Sequence, residues 1–139
     1  MKKILVVILF LTGCTSIQVK ELDASYSVKH ICIEENPRVK VVDFVPVIEK
    51  LFNNHSIHTE VYKGERPGHC EFKLTYTARR SWDFTPYLST AELHLYKGAT
   101  QVASADYYLK GKGGFALTKW ASVETKMTPV INRLLRQYQ

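Results

Sequence analysis

The chain has no long hydrophobic run. Its longest uninterrupted apolar stretch, Ile4–Leu11, has 8 residues, whereas a helix needs about 20 to cross a bilayer. Lys2 and Lys3 precede this stretch, and small residues and a cysteine follow it. A charged start, a short apolar core and a small-residue ending are typical of a cleaved export signal. We therefore expect residues 1–13 to be a signal peptide, rather than a membrane-spanning helix or the first strand or helix of a soluble protein.

The sequence also lacks the common catalytic motifs. It contains no Gly-x-Ser-x-Gly elbow and no His-Glu-x-x-His zinc motif. Gly111–Gly114 precedes a helical pattern, but it lacks the spacing of a phosphate-binding loop and indicates a flexible corner. Asp83 is the only acid between aromatic residues, while a glycosidase needs two placed carboxylates. The sequence predicts that the protein is not an enzyme and has no cofactor.

The positive charge of the chain is spread along the sequence and not concentrated in one region. The chain has 19 basic and 13 acidic residues, and loss of the signal would leave 17 basic ones, a net charge of +4. The densest points are Arg79–Arg80 and the pair Lys110 and Lys112. A nucleic-acid-binding protein usually shows a basic stripe and a recognisable reading element. We therefore expect no nucleic-acid partner.

The end of the signal resembles the lipobox of bacterial lipoproteins, Leu-x-Gly-Cys. The matching residues are Leu11-Thr12-Gly13-Cys14. This resemblance implies cleavage before Cys14, lipidation of Cys14, and anchoring through its acyl chains. In the enteric sorting rule, Asp after the cysteine retains a lipoprotein in the inner membrane. Because Thr15 stands there, the resemblance implies an outer-membrane protein that faces the periplasm.

Cysteine is scarce, with 3 in the chain. If Cys14 is lipidated, Cys32 and Cys70 remain as an even pair in an oxidising compartment, which favours one disulfide. Together with His30 and His69, the two cysteines could instead form a zinc site. His69 and Cys70 are adjacent, however, and on a strand they would point to opposite faces. The sequence favours the disulfide and no metal.

Hydrophobic periodicity predicts one α+β domain over residues 28–139. A polar tether over residues 14–27, which begins at the lipidated cysteine and includes a short extended piece at Ile17–Leu22, is expected to precede it. Phe44, Ile48 and Leu51 recur at helical spacing, and residues 70–79 alternate strictly as a strand. Lys97–Thr100 reads as a hairpin turn. We expect the order β-α-β-β-β-β-α, with an antiparallel sheet of about five strands and two helices packed on one face. Pro129 either kinks the last helix or begins a new one capped by Thr128; we prefer the kinked or interrupted helix.

Residues 79–87 are the most unusual stretch of the domain. They combine arginine, tryptophan and tyrosine, the residue types that are enriched at interface hot spots. The contact residues that this stretch and the neighbouring sheet face suggest are Arg80, Trp82, Tyr87 and Tyr96. The competing interpretation, which we favour from sequence alone, is a structural crossing. There, Trp82 and Phe84 would fill one end of the core and Asp83 would pair with an arginine.

Taken together, the lipobox, the Cys32 and Cys70 pair, and the run Leu74–Ala78 to Trp82–Phe84 before two strands resemble small uncharacterised lipoproteins of Gram-negative bacteria. This resemblance brings no established activity with it. With the missing catalytic motifs, it implies a non-enzymatic outer-membrane lipoprotein that binds or scaffolds another envelope component, either a protein or a second copy of itself. The alternative is a small periplasmic enzyme or ligand-binding module that acts on cell-wall saccharide.

Overall fold

The computed structural model describes residues 15–114 and 117–138. The predicted signal and the predicted lipidation of Cys14 lie outside these residues. Within the described part of the chain, no helix combines the length and the apolar character that a membrane crossing requires.

One mixed sheet of six strands and two α-helices form the described domain. The strands run in the spatial order β1-β6-β5-β4-β2-β3. Their bounds are β1 Thr15–Lys20, β2 His30–Glu34, β3 His58–Tyr62, β4 Phe72–Asp83, β5 Thr85–Lys97 and β6 Thr100–Leu109. The helices are α1 Phe44–Asn53 and α2 Val123–Leu134, and short 3-10 turns cover Ala24–Tyr26, Lys110–Gly113, Leu117–Trp120 and Arg136–Tyr138. The α+β class is as predicted.

The sheet is mixed, whereas the sequence predicted a purely antiparallel one. The central β4, β5 and β6 pair antiparallel, but β2 pairs in parallel with both β3 and β4. Helix α1 connects β2 to β3 as a crossover and returns the chain to the end of the sheet where β2 began. The loop over residues 63–71 returns the chain to that end again before β4. The expected count of about five strands misses β1.

Strand β1 replaces the predicted tether. It pairs antiparallel with β6 along its whole length, from Thr15 opposite Leu109 to Lys20 opposite Ser104. Just beyond it, Leu22 is fully buried and its backbone N–H donates to the carbonyl of Leu134 at 2.9 Å. The prediction of a tether over residues 14–27 was therefore wrong from Thr15 onward. As an edge strand that is only half buried, β1 needs few apolar residues, so its composition resembles that of a linker.

Both helices pack on one core. Ile48 and Phe52 of α1 and Met127 and Ile131 of α2 are buried in the same cluster as the inward residues of the central strands, such as Leu93. Cys32 lies outside this cluster, in a small second cluster with Tyr62 and Cys70. Its strand neighbours Ile31 and Ile33 belong to the main core. Because side chains alternate along a strand, the second cluster lies on the sheet face opposite the helices.

The helical pattern predicted toward the carboxyl end is interrupted before Val123, where α2 begins, and not at Pro129. The N-cap of α2 is Ser122, whose hydroxyl accepts from the backbone N–H of Thr125 at 3.0 Å. Pro129 lies inside the helix, so a start capped at Thr128 was the wrong alternative. Proline has no N–H, and the turn therefore lacks one backbone hydrogen bond at this position. Ahead of α2, Leu117–Trp120 forms a separate 3-10 turn.

Candidate functional site

The strands β4 and β5 form a long hairpin whose tip is exposed. Only Phe84 separates the two strands, with a φ of 60°. At this tip the side chains of Trp82 and Phe84 are 73% and 90% exposed. We call residues 80–86 the hairpin tip. The structural crossing favoured from sequence was wrong, because neither aromatic ring fills the core.

A buried lysine holds the hairpin tip in place. Lys119, in the 3-10 turn before α2, is only 5% exposed, and its ammonium forms an ion pair with the Asp83 carboxylate. The same ammonium donates to the carbonyl of Gly114 at 2.7 Å. Next to it, the indole N–H of Trp120 donates to the backbone carbonyl of Asp83 at 2.8 Å. The tip is therefore fixed from below while its aromatic side chains face outward.

A second buried lysine lies under the base of the hairpin. Lys126 of α2 is 6% exposed and donates to the carbonyl of Leu88 at 2.9 Å and to the carbonyl of Lys119. The ammonium groups of Lys119 and Lys126 lie 5.9 and 5.4 Å from the centre of the Tyr87 ring, within cation–π range. Because Tyr87 is buried, it serves this packing and not an outer surface.

The buried Lys126 predicts a rise in stability at mildly alkaline pH. Burial lowers the pKa of its amine to about 8 from an ordinary value of 10.5. Between these two values the unfolded chain binds more protons than the folded one, so the free energy of unfolding increases as the pH rises. We expect a gain of about 1–2 kcal/mol from pH 7 to pH 9.5, measured by urea denaturation.

Lys126→Met is the control for this increase of the free energy of unfolding with pH. It should be less stable than the wild type at neutral pH, since two carbonyls lose their donor, and its stability should change little from pH 7 to pH 9.5. The range stops there because tyrosines ionise in the unfolded chain near pH 10, while burial raises the pKa of Tyr107 to about 12. An equal slope in both proteins would contradict the assignment to Lys126.

The four predicted contact residues do not form one surface. Arg80 lies at the hairpin tip with Trp82 and is exposed, and its guanidinium donates to the carbonyl of Lys40. Tyr87 is buried, and Tyr96 lies near the opposite end of the hairpin, where the ammonium of Lys73 is 5.4 Å from its ring centre. The structure therefore brings together Arg80 and Trp82 and leaves Tyr96 apart.

The hairpin tip and the start of β1 lie at the same end of the sheet. Thr15 pairs with Leu109, the last residue of β6, and Tyr108 beside it pairs with Thr90 of β5. Residues 85–88 of β5 therefore extend past the end of β6, toward the side from which the chain enters the sheet. Cys14 immediately precedes Thr15 in the chain, so the predicted lipidation site is joined to this end.

Sequence reasoning missed the residues that support the tip. Lys119 and Trp120 contact Asp83 across 36 and 37 positions of the chain. A buried lysine carries no local sequence signal, since this residue type is almost always exposed unless it is paired. Their neighbour Leu117 is 81% exposed. Asp83 does pair with a cation, but the partner is this lysine and not the expected arginine.

The structure joins Cys32 and Cys70 by a disulfide, with their Cα atoms 5.7 Å apart. It links β2 to the loop before β4 on the sheet face opposite the helices. The sequence argument against zinc assumed that His69 and Cys70 lie on a strand, and this assumption was wrong. They lie in a turn in which the N–H of Cys70 donates to the carbonyl of Pro67 at 3.1 Å, and β4 begins only at Phe72.

Comparison with known proteins gives a fold and no family. No protein-family model matches the sequence, and no curated protein matches it. Two solved structures of PelC dodecamers from Paraburkholderia phytofirmans are similar to the chain. One of these structures, a point variant, has a TM-score of 0.56 at 10% identity, covering 88% of this chain and 99% of that one. The other structure has a TM-score of 0.53 at 8% identity, covering 84% of this chain and 96% of that one. The chain shares the fold of PelC. At such identities the similarity concerns the fold alone.

Proposed function

We propose that the protein is a non-enzymatic lipoprotein of the outer membrane, anchored through Cys14, whose periplasmic domain binds another envelope component through the hairpin tip. The observation that carries the binding proposal is the exposure of Trp82 and Phe84 on a tip that Lys119 and Trp120 hold rigidly. A rigid aromatic side chain loses little conformational entropy when it is buried in a partner. Exposed aromatics of this kind, beside an arginine, are typical of interface hot spots.

The partner that we favour is a second copy of the chain. PelC, whose fold the chain shares, forms dodecamers. Copies anchored in one membrane also meet at high local concentration, which favours self-association. A different envelope protein is the other form of the same proposal.

The saccharide alternative has less support from the geometry. It requires a pocket lined by Trp82, Asp83 and a second carboxylate. Trp82 instead projects from a hairpin tip, and the Asp83 carboxylate is already paired with the Lys119 ammonium. An acid held in this way is poorly suited to donate a proton to a glycosidic oxygen.

Photo-crosslinking in cells tests the proposed contact. A photoreactive residue at position 84 should capture a protein partner, and its adduct should have the mass of two or more copies of the chain if the partner is the protein itself. Position 61 is the control, because Val61 is also an exposed apolar residue, at 42%, but lies on the edge strand β3, away from the hairpin tip. Trp82→Ala should lower the yield at position 84 about tenfold or more, since hot-spot truncation costs about 2 kcal/mol.

Protein adducts of equal yield at positions 84 and 61 would contradict the proposed contact. So would adducts to lipid alone at position 84. Because Trp82 is exposed, Trp82→Ala should leave the melting temperature within about 2 °C of the wild-type value, so loss of crosslinking would not reflect unfolding.

Replacement of the lipidated residue tests the anchor. Cys14→Ala removes the thiol that would carry the acyl chains, so the variant should keep its signal uncut by the lipoprotein peptidase and carry no lipid. Detergent-phase partitioning and intact mass of the purified protein measure both changes. Thr12→Ala, which leaves the Leu-x-Gly-Cys pattern intact, is the control and should be processed as the wild type. Identical mass shifts and partitioning in the wild type and Cys14→Ala would contradict lipidation.

A further inference from the structure

A cluster of metal-ligating side chains lies around the disulfide, far along the sheet from the hairpin tip. Glu60 on the edge strand β3 is the direct register partner of Cys32 on β2. One oxygen of its carboxylate, Oε1, lies 3.3 Å from Cys32 Sγ and 3.4 Å from Cys70 Sγ. The same oxygen contacts His69 Nε2, and the other oxygen is 3.6 Å from His30 Nε2. Four potential ligands, Cys32, Glu60, His69 and Cys70, therefore lie together, with His30 beside them.

The disulfide form leaves this arrangement chemically incomplete. Sulfur atoms in a disulfide carry no proton, so they donate nothing to the carboxylate that lies against them. The buried sulfurs and the carboxylate gain only van der Waals contact from their proximity. After reduction, each sulfur becomes a thiol that can donate to Glu60 or a thiolate that can bind a metal.

Two of the distances between ligand atoms already match a tetrahedral zinc site. The ligand atoms of Cys32, Glu60, His69 and Cys70 all lie within 4.8 Å of one another. Zinc bonds of 2.0–2.3 Å place neighbouring ligand atoms of a tetrahedron about 3.3–3.8 Å apart. The separations of Glu60 Oε1 from the two sulfurs already lie in this range. Two adjustments are needed. The sulfurs, once reduced, must separate to about 3.8 Å, and His69 Nε2 must move back from Glu60 Oε1 to about 3.3 Å.

We propose that Cys32, Cys70, His69 and Glu60 form a zinc site that exists only when the disulfide is reduced. A dithiol reductant supplies two electrons and two protons, and it leaves as its own disulfide while Cys32 and Cys70 become thiols. Zinc then replaces the two thiol protons, which are released to solvent, and His69 and Glu60 complete the tetrahedron. His30, whose Nε2 faces the second oxygen of Glu60, orients the carboxylate from outside the ligand set.

The disulfide and the bound metal are therefore mutually exclusive states of one site. The disulfide ties β2 to the loop before β4, and the metal would tie the same two segments and also β3, which supplies Glu60. The exchange lets the protein keep this edge of the sheet cross-linked in either redox state. It also makes zinc retention dependent on the local balance of thiols and disulfides.

Native mass spectrometry of the purified domain, residues 15–139, tests the proposal with zinc alone. The reduced wild type, kept in a phosphine reductant and checked for folding by near-UV circular dichroism, should retain one zinc ion. The oxidised wild type should retain at least about tenfold less at the same free zinc concentration. His69→Gln and Glu60→Gln should each weaken zinc binding by the reduced protein about tenfold or more.

The substitutions distinguish a folded zinc site with four ligands from zinc bound by the two thiols alone. His69 and Glu60 are partly exposed, so their variants should fold. His55→Gln is the matched control, because His55 is also partly exposed but lies just after α1, where its Nε2 is 3.0 Å from Asn132 Oδ1. The zinc affinity of this variant should equal that of the wild type. Absence of zinc in the reduced wild type, or unchanged binding in both His69→Gln and Glu60→Gln, would overturn the proposal. Unchanged binding would also be the result if an unfolded chain bound zinc through its thiols alone.

Discussion

A domain that begins at Val28 is expected to be much less stable than one that begins at Thr15. The shorter form loses the whole of β1, which pairs with six residues of β6, and it loses the buried Leu22. Removing one buried leucine side chain alone costs about 2–5 kcal/mol. Since domains of this size are stable by about 5–15 kcal/mol, we expect the truncated form to be largely unfolded or insoluble at 25 °C. Urea denaturation of residues 28–139 and residues 15–139 measures the difference.

Two single substitutions serve as controls for this truncation. Leu22→Ala in the longer form should lower the free energy of unfolding by about 2–5 kcal/mol. Lys20→Ala, at the exposed end of β1, should change it by less than about 0.5 kcal/mol. Equal urea midpoints for the long and the truncated domains would show that residues 15–27 are a tether after all.

Removal of the disulfide is expected to have the next largest effect. Cys32 and Cys70 are separated by 38 positions, and closing a loop of this length stabilises a protein by about 3–4 kcal/mol in the chain-entropy model. The double variant Cys32→Ala, Cys70→Ala should therefore melt roughly 10 °C below the oxidised wild type. The two residues are replaced together because a single substitution would leave a reactive buried thiol. Differential scanning calorimetry in the presence of a chelator measures the shift.

Treatment with a reductant provides the internal control for that measurement. It should lower the melting temperature of the wild type toward that of the double variant, and it should leave the double variant unchanged. The chelator keeps zinc from restabilising the reduced form, so the entropic effect of the cross-link is measured alone. A double variant as stable as the oxidised wild type would contradict a stabilising disulfide.

Much of the fold can be predicted from the sequence where a single local pattern decides it. The strict alternation from Phe72 to Ala78 comes from one buried and one exposed sheet face, and the helical spacing of Phe44, Ile48 and Leu51 comes from one buried helix face. Because the turn around Gly98 is so short, β5 and β6 must pair as an antiparallel hairpin. In each of these elements, burial of a single face fixes the periodicity.

The errors arise where long-range pairing decides the structure. The direction of β2 relative to β4 depends on how the chain crosses the sheet, and the helix between β2 and β3 was the available signal for parallel pairing. Strand β1 becomes recognisable only with its partner β6, nearly ninety positions away, because its own residues are largely polar. The exposure of Trp82 and Phe84 also depends on distant residues, since Lys119 and Trp120 take the place beneath the tip.

The candidate site was predicted in part. Residue composition alone pointed to Arg80 and Trp82, since arginine and tryptophan are enriched at interface centres. The same argument wrongly grouped them with Tyr87, whose ring lies under two lysine ammonium groups, and with the remote Tyr96. Composition identifies residue types, whereas their grouping on a surface depends on the register of the hairpin.

The position of β1 has a further consequence for the proposed lipoprotein. If Cys14 carries the lipid, the first paired residue of the sheet follows it directly, so no spacer lets the domain tumble freely above the membrane. All copies would then have nearly the same orientation and distance relative to the bilayer, with the β4–β5 hairpin on the membrane-proximal side. Much of the rotational freedom that association normally removes would already be lost on anchoring, and encounters would take place in two dimensions. Weak contacts between neighbouring copies could then suffice for assembly on the membrane, while the same domain without its lipid would remain monomeric in dilute solution.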